Sequence, residues 1–463
     1  MKDRVISLDT GSTWTKGALW SLDGGKPELK SYFRTPTTTA NLADGALSVA
    51  SHLCSVSRED YIKNHTGIPV FWTSSAKGGL AIAVVGLVPD LSVELGRLAA
   101  WGSGGRITKV WPWVLTNQHM DEIIASKPDI ILLTGGTDGG HEKNVIHNAR
   151  IIGESTYDAS VIYAGNSYIA SEVEKLLETK RCTVVPNLMP DLGTINEVPC
   201  QLAIRQEFLD NIVEGRGLLQ LVDVFGRKPL PTPSAMLNLV TTINEKCPDF
   251  GDFTLIDMGG ATTDVYSICP AQSDDSVILR GITEPLIKRS VEGDLGMRVS
   301  ARSLWEVIVK SMKSATGLPS LEQLKEWTEH VLENTELLPV THTEGDLDRI
   351  LAVSALWHSV ARHSGRIEQV WTSNGKVGVQ RGKDLRKIAK VVLTGGWLAR
   401  FSNKNFWSQA REIFGCFEND KEILIPEKPD VFTDAEYLWP LFAPLVGEIP
   451  MVEQAALKAL IKR

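Results

Sequence analysis

A chain of 463 residues, 43% hydrophobic and 22% charged, has the make-up of an ordinary globular protein with room for two to four domains or subdomains. That balance excludes a disordered or fibrous chain. The formal charge of -8 argues against broad electrostatic attraction to nucleic acid as the main activity.

Residues 5–8 form an apolar strand that ends at Asp9. The glycine- and hydroxyl-rich turn after it leads into TKGALWSL, which reads as the returning strand of a hairpin because Thr15, Ala18 and Trp20 suit β pairing. A dinucleotide fold would instead place GxGxxG ahead of a helix, and that motif is missing. Residues 79–88 read as a buried strand and 92–100 as a helix. Residues 128–133 give another strand, which runs into TGGTDGG at 134–140 and then a helix over 141–151. A strand at 160–165, a helix at 167–179 and a strand at 182–187 follow. This alternation predicts an α/β insertion at about 67–190 with a mainly parallel sheet.

Residues 197–213 have helical spacing, and Pro229, Pro231 and Pro233 mark a boundary before a helix at 235–243. A strand at 252–257 ends in a second aspartate, and VYSIC at 265–269 returns from its turn as β structure. Amphipathic helices are predicted at 303–314 and 348–363, a strand at 390–394, and a short helix at 451–461. Residues 434–446 are apolar but broken by Pro440 and Pro444, so no single helix runs through them.

The two hairpins carry the chemistry. In DTGSTWTK, Gly11 removes a side chain where a phosphate must approach the backbone, and Ser12, Thr13 and Thr15 offer hydroxyl donors beside an amide nest. Lys16 neutralises phosphate charge if it points inward. Asp9 is itself anionic, so its useful position is opposite Mg2+ or the water around it. DMGGATTD repeats the pattern: Gly259 and Gly260 allow close approach, Thr262 and Thr263 donate, and Asp257 or Asp264 orients magnesium and water. One such turn is a weak signal, whereas two, each between β strands, describe a cleft for a nucleotide polyphosphate rather than a pair of structural hairpins. VVLTGG brings Gly395 and Gly396 to a strand end where adenine or ribose could lie against the main chain.

In that order the three motifs resemble the first phosphate, second phosphate and adenosine motifs of the actin, Hsp70 and sugar-kinase superfamily. SSAKGGLAIAVVGLVP, LLTGGTDGG, YAGN and VEGDLGMR are similar to the MutL-type glutamate mutase accessory family over almost the whole chain. The resemblance implies an α/β, actin-like ATPase fold with two ribonuclease H-like lobes and an α/β insertion. On it, 1–245 is the first lobe with its insertion, 246–433 the second lobe with the adenosine-side turn, and 434–463 a segment packing back on the body. It further implies Mg-dependent ATP hydrolysis, with Asp9 and Asp257 as the phosphate-loop acids. The expected partners are subunits of an adenosylcobalamin-dependent amino-acid mutase, which the protein would protect or reactivate by exchange of damaged cofactor. DAEYLWPLFAPL departs from the more glycine-containing ending of the family. A small-molecule kinase, a nucleotide-dependent scaffold without turnover and an iron–sulfur ATPase are the competing classes.

Other features have plainer explanations. The six cysteines lack a CxxC pair, as expected of reduced thiols in the cytoplasm. The first residues lack a signal peptide's apolar region, and no stretch nears the roughly 20 apolar residues of a membrane span, so no membrane partner is expected. A homodimer is the candidate self-assembly. His358 and His363 do not match HExxH, and no DxHxxG run is present to hold cobalamin. Arg289, Glu292, Asp294 and Arg298 form either a salt-bridged helix start or a coupling element. TGGTDGG is either a strand-to-helix turn or an anion site made awkward by Asp138.

Overall fold

The strand that ends near Asp9 covers Arg4–Thr10 and pairs antiparallel with Trp14–Ser21, which leaves Gly11, Ser12 and Thr13 as the hairpin turn. The computed structural model describes residues 3–38, 40–64, 67–75, 80–213, 217–271, 277–311, 319–373, 375–418 and 421–463. They fall into two compact units: Met1–Lys77, Val213–Leu279 and Glu284–Arg463 form the first, and Gly78–Ile212 with Arg280–Thr283 form the second.

The first unit contains the same five-strand core twice. In one sheet Glu28–Pro36, Trp14–Ser21 and Arg4–Thr10 run antiparallel to their neighbours, and Val70–Ser74 and Leu230–Pro231 add parallel strands beside Arg4–Thr10. In the other, Ile287–Glu292, Thr263–Ile268 and Phe253–Met258 are antiparallel, followed by parallel Lys390–Thr394 and Asp430–Asp434. Each five-strand core thus reads 3-2-1-4-5 in chain order, the ribonuclease H-like arrangement. The first strands of both are buried on both faces, so their apolar runs are nearly continuous. Helix Leu42–Leu53 lies on the first sheet and His342–His363 on the second. A further five-stranded sheet, Val277–Leu279, Gly375–Arg381, Arg366–Thr372, Lys421–Ile423 and Phe417–Glu418, completes this unit.

The second unit is a parallel five-stranded sheet with helices such as Lys143–Glu154 and Ala170–Leu176. Its aliphatic core includes Val85, Leu133, Val145, Val161 and Val173. The insertion expected at 67–190 is displaced: Val70–Ser74 pairs with Arg4–Thr10 in the first unit, and the second unit extends through Ile212.

Three element boundaries differ from expectation for physical reasons. Helix Thr232–Lys246 accommodates Pro233 in its first turn, where a missing N–H costs nothing. Helix His342–His363 begins six residues before 348, because Thr341 and Glu344 form a capping box. The last helix stops at Lys458, and Leu460–Lys462 joins the second sheet against Asp430–Asp434, so Ile461 is a strand residue. Helix Ala301–Ser311 covers most of the predicted 303–314, whose last three residues lie outside the described ones. Among the described residues no helix is long and apolar enough to cross a membrane.

Candidate functional site

Both glycine turns close in the same way. Gly11 N donates to Trp14 O at 3.1 Å, and Gly259 N donates to Thr262 O at 2.9 Å. Across each hairpin the residue opposite the strand-end aspartate differs: Asp9 faces Lys16, whereas Asp257 faces Asp264. That single difference sets the electrostatics of the site.

Asp9 is almost fully buried and fully partnered. Its Oδ2 lies 2.7 Å from Lys16 Nζ, and its Oδ1 accepts from Thr73 Oγ1 at 2.9 Å and Thr232 Oγ1 at 2.7 Å. Lys16 Nζ also stands 3.7 Å from the centroid of the Tyr437 ring, a cation–π contact supplied from left-handed backbone with φ of 56°. Burial and the surrounding carboxylates push the Tyr437 hydroxyl well above its ordinary range. Lys16 therefore points inward, toward the acid of the strand it pairs with.

Asp257 has no cross-strand cation. Burial, and next the negative charge of Asp264, push its carboxyl up to about 7; Lys16 opposes the shift and Asp9 and Asp434 add to it. Asp264 is itself neutralised by Arg289 from strand Ile287–Glu292, whose Nε donates to Oδ1 at 3.0 Å, and its Oδ2 accepts from Thr262 Oγ1 at 3.1 Å. A third strand-end acid, Asp434, joins this group. Its Oδ1 accepts from Leu438 N and its Oδ2 from Trp439 N, both at 2.9 Å, and Thr394 Oγ1 donates to Oδ2 at 2.8 Å. Burial nonetheless raises it to about 6, against the pull of those donors.

The remaining expected residues divide into three groups. Ser12, Thr13, Gly259, Gly260 and Thr262 lie on the half-buried turns, and the two turns meet: a side chain built on Gly260 would reach 2.6 Å from Thr13 Cγ2. Thr15 is instead bonded to Thr37 Oγ1 at 3.0 Å, and Thr263 donates to Leu295 O at 2.7 Å, so both hydroxyls brace the turns from behind. Gly395 has φ of 121° and would drive a side chain to 2.2 Å from Met258 O, which only glycine avoids. Gly396 is exposed, and the nearest atom to a side chain there is on the Tyr437 ring at 3.9 Å.

VEGDLGMR wraps the second turn. Met297 N and Arg298 N donate to Gly259 O and Gly260 O, and Arg298 forms a two-point pair with buried Asp348 at 3.0 and 2.9 Å. Trp327 and Trp397 Nε1 satisfy the same carboxylate. Glu292 and Asp294 pair with Arg362.

Among the described residues no group of three or more histidine, cysteine, aspartate or glutamate side chains is gathered to hold a metal unaided. The donor chemistry fits Mg2+ all the same, because that ion commonly takes one or two carboxylates and completes its shell with water and substrate phosphate. Asp257, crowded by like charge and without an ion pair among the described residues, is the group such a cation would relieve. Sequence reasoning missed Thr73, Thr232, Asp434 and Tyr437, and singled out Arg289 without its pairing to Asp264. A signal existed for one of them: VFTD ends in an acid as ISLD and TLID do.

Residues 5–462 match the family model described as MutL protein. Protein MutL of Clostridium tetanomorphum is 34% identical over 455 residues, covering 97% of each chain. Similar solved structures are more distant. The nucleotide-free structure of acetone carboxylase has a TM-score of 0.41 at 12% identity, over 95% of this chain and 69% of that one. An ATP-dependent caprolactamase from Pseudomonas jessenii has a TM-score of 0.37 at 11% identity, over 96% and 71%.

Proposed function

Because the chain belongs to the MutL family, within the actin, Hsp70 and sugar-kinase superfamily, we propose that it is a Mg-dependent ATPase serving an adenosylcobalamin-dependent amino-acid mutase, glutamate mutase first among the candidates. The observation that carries the ATPase assignment is the meeting of two like-built glycine turns beside strand-end acids, at Thr13 and Gly260. Their amides and the Ser12 and Thr13 hydroxyls are suited to phosphate oxygens, and the Thr262 hydroxyl would join them by turning from Asp264. Exposed Gly396 leaves main chain open for the adenosine side, with buried Gly395 packed on Met258 behind it.

Asp9 and Asp257 would hold the cation or its water shell, and Lys16 would exchange part of its pairing with Asp9 for phosphate. Bound Mg2+ supplies charge neutralisation and an ordered water for attack on the terminal phosphate. Asp257, whose carboxyl burial and then Asp264 push up to about 7, would be the residue that orients that water as a carboxylate. Movement of the two ribonuclease H-like sheets with nucleotide state would then act on the mutase and loosen its hold on inactive cobalamin.

The test is release of inorganic phosphate from ATP by the purified protein, with Asp257→Asn as the inactive control and its melting temperature as the check on folding. Unchanged turnover in that variant removes Asp257 from the mechanism, and phosphate appearing on a small metabolite would make the protein a kinase. Recovery of an inactivated mutase on addition of ATP and fresh adenosylcobalamin tests the partner, and recovery without hydrolysis would overturn the coupling.

A further inference from the structure

Across the second unit the strands read Arg106–Trp111, Ala81–Val85, Ile130–Leu133, Ser160–Tyr163 and Cys182–Val184, all parallel. In chain order this is 2-1-3-4-5. The order reverses between Ala81–Val85 and Ile130–Leu133, and in open parallel sheets the crevice at the carboxyl ends beside such a reversal is where ligands settle. Strand Ile130–Leu133 delivers TGGTDGG to that crevice.

The turn is built for close approach. Gly135, Gly136 and Gly139 have φ of 133°, 74° and 70°, and a side chain on Gly136 would meet His141 O at 2.6 Å. Among the described residues the N–H groups of Gly135, Gly136 and Thr137 donate to no protein acceptor, and in the 12-residue helix Lys143–Glu154 that follows, the N-cap Glu142 makes no side-chain cap bond, while His141 Nε2 accepts from Asn144 N at 3.2 Å. An independent observation lies beneath the turn. Asn166 is wholly buried, and its Oδ1 accepts from Gly139 N and Tyr168 N at 3.0 Å each, which fixes its amide and leaves Nδ2 with no partner. The position a Gly136 side chain would take lies 3.3 Å from Asn166 Cβ, which seats Asn166 directly against the turn. A buried donor left unmet is destabilising, and a ligand oxygen bonded to it would remove that cost.

Asp138 limits what that ligand is. Its Oδ1 accepts from Ser167 N at 2.8 Å and Asn187 Nδ2 at 2.9 Å; against its partial burial, these bonds hold the carboxyl below the usual range. A bare polyanion is disfavoured beside it, but an ionised Oδ2 is a good acceptor for a hydroxyl. The Tyr168 ring stands exposed next to Gly139, and Trp113, also exposed, is joined through its N–H to Leu87 O, whose side chain abuts Gly135. We propose that this crevice binds a phosphate monoester carrying a sugar or polyol and a planar heteroaromatic ring. Its phosphate would sit on the Gly135, Gly136 and Thr137 amides with Asn166 Nδ2, its hydroxyl on Asp138, and its ring against Tyr168.

The site stands on the second unit alone and does not depend on ATP hydrolysis. It is tested by calorimetric titration of the full chain, its ATP site saturated with a non-hydrolysable analogue, with flavin mononucleotide against riboflavin and adenosine monophosphate against adenosine. At least one phosphorylated probe should bind tenfold or more tightly than its dephosphorylated counterpart. Asn166→Asp keeps the acceptor for Gly139 and Tyr168 but faces the phosphate with a carboxylate, and should abolish that binding; exposed Tyr168→Ala should weaken it severalfold. Hydrogen exchange on the wild-type chain with the tighter probe should gain protection at 134–142 and 164–168, a readout that survives if a variant misfolds. Equal binding of each probe pair, no binding, undiminished binding by Asn166→Asp, or protection confined to the two hairpin turns of the first unit would each overturn the proposal.

Discussion

Thr13 and Gly260 touch across the two glycine turns, so that a single added carbon on Gly260 would lie 2.6 Å from the Thr13 methyl. The spacing of the turns therefore rests on a missing side chain. Gly260→Ala is expected to push the turns apart and weaken binding of a non-hydrolysable ATP analogue at least tenfold, read by calorimetry. Thr13→Ser removes the opposing methyl and keeps the hydroxyl, so the double substitution should recover most of the loss. If the double variant binds no better than Gly260→Ala, this contact does not set the spacing.

The Arg289–Asp264 pair gives a stability prediction. Both side chains are buried, at 1% and 8% exposure. Removing the guanidinium strands a carboxylate that already faces Asp257. Arg289→Met should destabilise the protein by about 3–5 kcal/mol, as broken buried pairs do. Arg289→Met with Asp264→Leu should recover most of it in denaturant titrations, because an apolar pair carries no stranded charge. A loss below about 1 kcal/mol in the single variant would mean that solvent reaches the carboxylate.

Asp257 makes stability depend on pH in a defined direction. Its folded carboxyl sits near 7 and its unfolded one near 4, so between these values the folded chain holds a proton that the unfolded chain has lost. Stability from this group is fully present below about pH 4 and is lost as pH rises toward 7, at about 1.4 kcal/mol per pH unit. The difference between wild type and Asp257→Asn, followed by thermal melts from pH 4 to 8, should show that slope. Added Mg2+ should flatten it by favouring the carboxylate, and a difference curve without slope would mean that the folded and unfolded carboxyls titrate alike.

What was legible in the sequence was local. DTGSTWTK and DMGGATTD show their strand, turn and return within eight residues, and the closing bonds join residues three apart. The partners of Asp9 were not legible, since Thr73 and Thr232 arrive from 64 and 223 residues away with nothing in their own surroundings to mark them. Helix Leu42–Leu53 was hidden for another reason. It carries Gly45, a poor helix former, where a side chain would crowd the Thr15 and Thr38 hydroxyls at 3.3 and 3.4 Å. Edge strand Arg106–Trp111 is half-buried throughout and mixes Thr108 and Lys109 with apolar residues, so neither a buried run nor a clean alternation marks it.

His363 supplies a second pH prediction, opposite in sign to that of Asp257. It ends helix His342–His363, and its ring bonds Ser290 Oγ at 2.7 Å and Ser267 Oγ at 2.8 Å, on adjacent strands of the second sheet. Burial, and after it the charges of Lys288 and Lys383, hold the imidazole far below its ordinary range, so it stays neutral in the fold. As pH falls through about 6.5 the unfolded chain takes up a proton that the folded chain refuses, and stability drops by about 1.4 kcal/mol per pH unit. His363→Gln offers a donor and an acceptor to the two serines without titrating. Its stability should lie below that of wild type at pH 8, where the ring fits better, and the gap should narrow steadily from pH 6.5 to 5. Parallel curves for the two proteins would show that the imidazole is protonated in the folded state, and that the serines then act as acceptors for both of its N–H groups.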